Sequence, residues 1–236
     1  MLPDEWEPLY EEILEDFGFD KASDENSARL LKVVMMNSDL ITDDDVVIQK
    51  RVTVFGASDD LETDILTIKP RGTLMASGSA VGRLRDIDIM PHIVVTDLDG
   101  DILPQIEASK AGAVTFILAH GDNSDLVQKY APEFIGPVIL TTHSHPDNIL
   151  SNYGGFTDGD RAVCIARYFG ATDILLLGFN FNKPSEKDGR DPRIKAQKLF
   201  WAKKIIYEYN EPGISITCPS GPSELRKKET RANREF

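Results

Sequence analysis

From Lys50 onward, short runs rich in β-branched residues alternate with segments of helical periodicity, and this alternation most constrains the fold. Strands are expected near Arg51–Phe55, Thr73–Ala76, His92–Thr96, Val114–Ala119, Val138–Thr141, Ile174–Leu177 and Ile214–Thr217. Helices are expected between them, near Asp59–Ile65, Ala80–Arg85, Leu103–Ala111, Ser124–Ala131, Gly159–Phe169 and Pro192–Tyr209. Such a chain builds βαβ units, hence an α/β fold with a mostly parallel, Rossmann-like sheet covered by helices on both faces. Upstream, Trp6, Leu9, Ile13 and Leu14 mark a helix ending at Gly18, and Ser23 is expected to cap a second helix running to about Asn37. The expected organisation is a helical N-terminal cap over 1–45, an α/β catalytic domain over 46–220 and a charged C-terminal tail over 221–236.

In such a sheet, ligands gather at the carboxyl ends of the strands. The run Ile93-Val94-Val95-Thr96 ends there in Asp97-Leu98-Asp99-Gly100-Asp101, three carboxylates at alternate positions. If the chain stays extended, Asp97 and Asp99 point the same way. Adjacent carboxylates repel unless a cation lies between them, and Mg²⁺ is the simplest one. Asp97, Asp99 and Asp101 are therefore the candidate metal ligands. An EF-hand loop starting at Asp97 would need Gly and Glu where Ile102 and Ala108 stand, which excludes it. The run Asp43-Asp44-Asp45 reads as a solvated turn.

The other strand ends carry phosphate-type chemistry. Gly56-Ala57-Ser58 and Ser77-Gly78-Ser79 are turns able to offer backbone N–H groups, making Gly56, Ser58 and Ser77 candidate nucleotide contacts. His120, Asp122 and Asn123 follow the fourth strand and join them. His143 and His145 lie at alternate positions after the fifth strand, with no third metal ligand evident. Asn152 to Arg161 packs three glycines, carboxylates and an arginine into ten residues before an apolar helix. Gly154, Gly155, Thr157, Asp158 and Asp160 are the candidate substrate contacts there, and Arg161 the candidate catalytic cation beside Asp97 and Asp99.

The net charge of −13 and pI of about 4.7 argue against nucleic acid or an anionic membrane as partner. They also require local cations wherever an anion binds. Cys164 and Cys218 read as separate, buried, reduced thiols. No apolar run approaches the roughly 18 residues of a membrane span, and Met1-Leu2-Pro3-Asp4-Glu5 lacks the pattern of a signal peptide. A cytoplasmic protein is expected.

Three motifs occur in order: Thr96-Asp97-Leu98-Asp99-Gly100-Asp101, Ala119-His120-Gly121-Asp122-Asn123, and Asn152-Tyr153-Gly154-Gly155-Phe156-Thr157-Asp158-Gly159-Asp160-Arg161-Ala162. Together they resemble the archaeal 6-hydroxymethyl-7,8-dihydropterin diphosphokinase family, over roughly Arg51 to Tyr209. The first motif is also similar to the Gly-Asp-x-Asp-Ser motif of thiamine diphosphokinases. The resemblance implies Mg²⁺-dependent transfer of diphosphate from ATP, as co-substrate, to the pterin's hydroxymethyl oxygen, in pterin or folate-type cofactor biosynthesis. The partners implied are small molecules, with a homodimer left open. The loops Gly56-Ala57-Ser58-Asp59-Asp60-Leu61 and Ser77-Gly78-Ser79-Ala80 depart from the family's usual Gly-Ala-Gly-Pro-Ser-Leu and Asp-Gly-Ala. The alternatives are a haloacid-dehalogenase-like phosphatase, whose nucleophile would be Asp97, and a non-catalytic nucleotide-binding protein.

Overall fold

A computed structural model describes residues 1–183 and 191–220. The charged tail expected over 221–236 lies outside the described residues. Among the described residues eight strands run parallel in one sheet: β1 Arg51–Phe55, β2 Thr73–Ser77, β3 Ile93–Thr96, β4 Val114–Ala119, β5 Val138–Thr142, β6 Leu150–Ser151, β7 Asp173–Leu177 and β8 Ser215–Thr217. Their order is β6-β5-β4-β3-β2-β1-β7-β8. The chain moves outward from β1 to β6, then returns to place β7 on the other side of β1. The order therefore reverses between β1 and β7, and a crevice opens beyond their carboxyl ends.

The helices are α1 Pro3–Phe17, α2 Lys21–Val34, α3 Leu61–Thr67, α4 Gly78–Arg85, α5 Ile102–Lys110, α6 Ser124–Tyr130, α7 Asp158–Tyr168 and α8 Pro192–Tyr207. Strand side chains alternate between the two faces, as the pleat requires. Val52, Val54, Ile174 and Leu176 pack with α7 and with Ile206 of α8. Phe55, Leu175 and Leu177 pack with α3 and α4 on the other face. A covering on both faces explains why β7 reads as an unbroken apolar run.

The N-terminal helices divide between the faces. Trp6, Leu9 and Ile13 of α1 pack on Cys164 of α7 and on Trp201 and Ile205 of α8. Ala28 and Leu31 of α2 pack on Ile117, Ala119 and Leu140 of the sheet together with α6. Gly18, with φ +65°, ends α1, and its N–H and that of Phe19 close on Glu15 and Leu14 carbonyls. Only three residues, Gly18, Phe19 and Asp20, separate the helices, so the cap of α2 is Asp20 and not Ser23. The Asp20 carboxylate accepts from the Ala22 N–H at 3.1 Å, and Ser23 sits inside the first turn.

Other local readings also change. β2 passes directly into α4, so Ser77-Gly78-Ser79 is a helix start and not a loop. A Cβ on Gly78 would lie 2.7 Å from Thr96 Oγ1, so only glycine permits this approach. Asp43-Asp44-Asp45 forms a 3-10 turn in which the Asp43 carboxylate accepts hydrogen bonds from Tyr153 (2.5 Å) and Tyr168 (2.8 Å). The run is thus anchored to the sheet edge and α7. The short β6 has no counterpart among the expected strands, because two residues are too few to show a period. Cys164 and Cys218 are buried and unbridged, and burial raises the Cys164 thiol to about 11. No helix among the described residues is long and apolar enough to cross a membrane.

Candidate active site

The acidic loop after β3 does not stay extended. β3 ends at Thr96, Leu98 turns into the left-handed region (φ +65°) and Gly100 follows at +79°. The buried Leu98 side chain holds this otherwise unfavourable conformation in place. Thr96 Oγ1 accepts from Leu98 N and donates to Gln105 Oε1. Gln105 Nε2 donates to the carbonyls of Asp99 and Asp101. Asp97 and Asp99 thus share the cleft through a tight turn, with Asp97 Oδ1 accepting the Asp99 N–H at 3.1 Å. Asp101 is exposed, takes the position before α5, and is not among the residues lining the cleft.

The cleft has a volume of about 450 Å³, and a second lobe of about 600 Å³ shares Asp97, Asp99, His120, Asp122, Thr157, Lys195 and Lys198 with it. Gly56, Ser58 and Ser77 line the β1/β7 side of the first lobe together with Gly178 and Phe179. Gly56 and Gly178 are in backbone contact, since a Cβ on Gly56 would lie 2.6 Å from the Gly178 carbonyl. The buried Asp64 of α3 fixes this junction by accepting the Gly178 N–H at 2.9 Å. Asn123 lines the second lobe, and its Nδ2 donates to Asp97 O and Leu118 O, tying the loops after β3 and β4 together. Thr157 and Asp158 line the cleft from the start of α7.

His120 bridges two carboxylates. Its Nε2 lies 3.5 Å from Asp97 Oδ2 and its Nδ1 2.5 Å from Asp122 Oδ1. Burial alone would lower the imidazole, but the hydrogen bonds and charges of Asp122 and Asp97 outweigh it and raise it to about 9. Burial pushes Asp97 up, and the hydrogen bond and charge of His120 outweigh that to hold it below the ordinary carboxylate range. Because the folded value of His120 exceeds an unfolded value of about 6.5, this pairing stabilises fully below that pH. Its contribution is lost as the pH rises through about 9. The stability gap between wild type and His120→Gln, measured by urea unfolding without added metal, is therefore expected to shrink from pH 6.5 to 9. A gap that stays constant over this range would contradict the pairing.

Arg161 lies below the floor of the cleft and is not among its lining residues. Its guanidinium is buried, donates through Nη2 to Thr141 Oγ1 at 2.6 Å, and has Nη1 3.6 Å from Asp158 Oδ1. Gly154 and Gly155 adopt φ of +75° and +89°, and a Cβ on Gly155 would lie 2.6 Å from Arg161 Cα. They shape the turn that packs onto Arg161 and stand outside the lining. Asp160 is buried, accepts from the N–H groups of Phe156 and Thr157 and from the Thr157 hydroxyl, and so caps α7.

The donor set suits a hard divalent cation. Burial, and then the Asp97 charge, push Asp158 well above the ordinary carboxylate range, and Asp99 adds to the effect. Asp158 Oδ1 is buried with no hydrogen-bond partner. Three carboxyls crowded in this way gain from a positive ion between them. Among the described residues no group of three or more His, Cys, Asp or Glu side chains is placed to hold a metal ion by itself. Mg²⁺ does not need one, since it commonly takes one or two carboxylates plus water and substrate phosphates.

Sequence reasoning assigned no site role to Lys195 and Lys198 of α8, which line both lobes. Their i, i+3 spacing on a helix was the available signal. With His120 they supply local positive charge that an anion needs in so acidic a protein. Tyr10, Phe19 and Asp24, from the α1–α2 corner, were missed for a different reason: only packing brings them to the sheet's carboxyl edge.

A family model described as 6-hydroxymethylpterin diphosphokinase MptE-like matches residues 25–186. The chain is 40% identical over 216 residues to the 6-hydroxymethyl-7,8-dihydropterin pyrophosphokinase of Pyrococcus furiosus, spanning 86% of this chain and 92% of that protein. It is 37% identical over 216 residues to the protein of the same name from Methanothermobacter thermautotrophicus, spanning 85% and 92%. For that of Methanocaldococcus jannaschii the identity is 32% over 225 residues, spanning 86% and 93%.

Proposed function

The chain belongs to the MptE-like family of 6-hydroxymethylpterin diphosphokinases, and from that premise we propose how its cleft carries out the reaction. The enzyme transfers diphosphate from ATP to the hydroxymethyl oxygen of 6-hydroxymethyl-7,8-dihydropterin. The acceptor oxygen forms a bond to the β-phosphorus, the bridging bond to the α-phosphate breaks, and AMP leaves with the bridging oxygen. The hydroxyl proton is released. Such transfers depend on positioning and charge neutralisation more than on covalent chemistry by the protein.

Asp97 and Asp99, with Asp158 beside them, would hold Mg²⁺, which when bound neutralises phosphate charge. His120, kept protonated by Asp97 and Asp122, offers a fixed positive charge beside the same carboxylates. Lys195 and Lys198 extend the positive surface along α8. Ser58 and Ser77 offer hydroxyl groups to the nucleotide's phosphates and Gly56 lets the chain approach them closely, while the Gly56 and Ser58 N–H groups are already given to the Leu177 and Gly178 carbonyls. Arg161 acts from beneath by holding Asp158. The observation that carries this reading is the meeting, in one cleft, of carboxylates from β3 and α7 with cations from the β4 loop and α8.

With Mg²⁺ and ATP, AMP is expected to appear in step with diphosphorylated pterin, and chelation by EDTA should abolish both. Release of ADP, or a phosphoryl group trapped on Asp97, would instead indicate the phosphatase-type course through an aspartyl phosphate.

A further inference from the structure

We propose that the end of the cleft beneath the α1–α2 corner is the pocket for the acceptor's flat heterocycle, leaving the β1/β7 crevice to the nucleotide. This deepens the diphosphokinase reading and rests on it. Four rings gather at this end: Tyr10, Phe19, Phe156 and His143 all line it. Their centroids are 6.1 Å apart for Tyr10–His143, 6.1 Å for His143–Phe156 and 6.5 Å for Phe19–Phe156. These are contact spacings for aromatic groups, here tilted 45–49° to one another, so the rings form one cluster at this end of the cleft against which a planar bicycle can pack.

That cluster leads directly to the acidic loop. His143 stacks against His120 at 6.3 Å, and His120 Nε2 is 3.5 Å from Asp97. The acceptor has only one methylene between its ring and the attacking oxygen. Its ring must therefore sit immediately beside the phosphoryl site, as a ring against His143 does. The nucleotide base is separated from the β-phosphorus by a ribose and the α-phosphate. It needs a longer approach, which the part of the cleft lined by Gly56, Ser58, Ser77, Phe179 and Phe181 provides. A second observation points the same way. His143 is buried, and among the described residues its Nε2 has no hydrogen-bond partner. Buried polar atoms are nearly always paired, and a heterocycle rich in ring nitrogens and carrying amino and oxo groups can supply the missing partner.

Phe19 is the variant of choice because it is 42% exposed and contributes little to the core. Binding of 6-hydroxymethylpterin, read by its own fluorescence, is measured separately from calorimetric binding of the non-transferring analogue AMP-CPP, both with Mg²⁺. Phe19→Ser and His143→Gln are each expected to weaken pterin binding about tenfold and to leave AMP-CPP within about twofold. The reverse pattern, equal losses for both ligands, or unchanged pterin binding in Phe19→Ser would overturn the assignment. Failure of the wild type to make diphosphorylated pterin would overturn the activity itself. Normal turnover with unselective or absent effects in the variants would overturn only the pocket.

Discussion

Asp97→Asn is expected to lower kcat/KM by about a thousandfold or more, or about 4 kcal/mol of transition-state stabilisation, while the protein stays folded. The substitution removes a charge at nearly constant volume. The new side-chain oxygen can still accept the Asp99 N–H, so the turn around Leu98 keeps its local hydrogen bond. What disappears is the carboxylate proposed to hold the metal, together with one of the two partners that keep His120 protonated. The cleft loses positive charge twice over, from the cation and from the imidazolium. The assay is the rate of AMP formation at saturating Mg²⁺, with circular dichroism and thermal melting as the control on folding. Turnover within tenfold of wild type would remove Asp97 from the catalytic centre.

Arg161→Met is expected to destabilise the fold by about 3–5 kcal/mol, because removing one member of a buried charge pair leaves the other unpaired. The guanidinium is only 3% exposed, with Asp158 Oδ1 3.6 Å away and the Thr141 hydroxyl at 2.6 Å. Without it, only the Gly78 N–H opposes the effect of burial and of the neighbouring Asp97 charge on Asp158. A carboxyl whose folded pKa is raised loses stability as the pH climbs above its unfolded value of about 3.9. The deficit should therefore be larger at pH 8 than at pH 5 in urea unfolding. Adding Asp158→Asn to the Met variant should recover part of the loss, since no buried charge then remains unpaired. Arg161→Lys should fall between wild type and Met, because the ammonium keeps a positive charge beside Asp158 but loses the planar fork that also reaches Thr141. A loss under about 1 kcal/mol, or one independent of pH, would contradict this account.

The positions of the strands were legible because their cores are β-branched runs bounded by polar turns. Val52-Thr53-Val54 is unambiguous in this respect, and Ile174-Leu175-Leu176 is so as an unbroken apolar run. The site was legible to the extent that a parallel sheet places all its carboxyl ends at one edge. That rule alone brings the segments at Gly56, Asp97 and His120 together. It does not say how deep a side chain lies. Arg161 follows Asp158 by three residues, and one face of α7 meets both cleft and core. Thus Asp158 reaches the cavity while Arg161 stays beneath it.

What the sequence determined by itself was the fold class, the edge of the sheet that carries the chemistry, and the carboxylate motif, all of which follow from local period and residue type. Only the tertiary structure decided the rest. The left-handed turn at Leu98 depends on burial of that side chain among residues from α2, α5 and the sheet. The aromatic end of the cleft depends on α1 and α2 packing on opposite faces and bringing Tyr10, Phe19 and Asp24 over the loops of β4 and α7. The cations of α8 line the cleft with Asp97 because the strand order reverses between β1 and β7. Each of these contacts joins segments distant in the chain. Local propensity carries no information about them, since their free energy appears only when the apolar faces on both sides of the sheet are buried together.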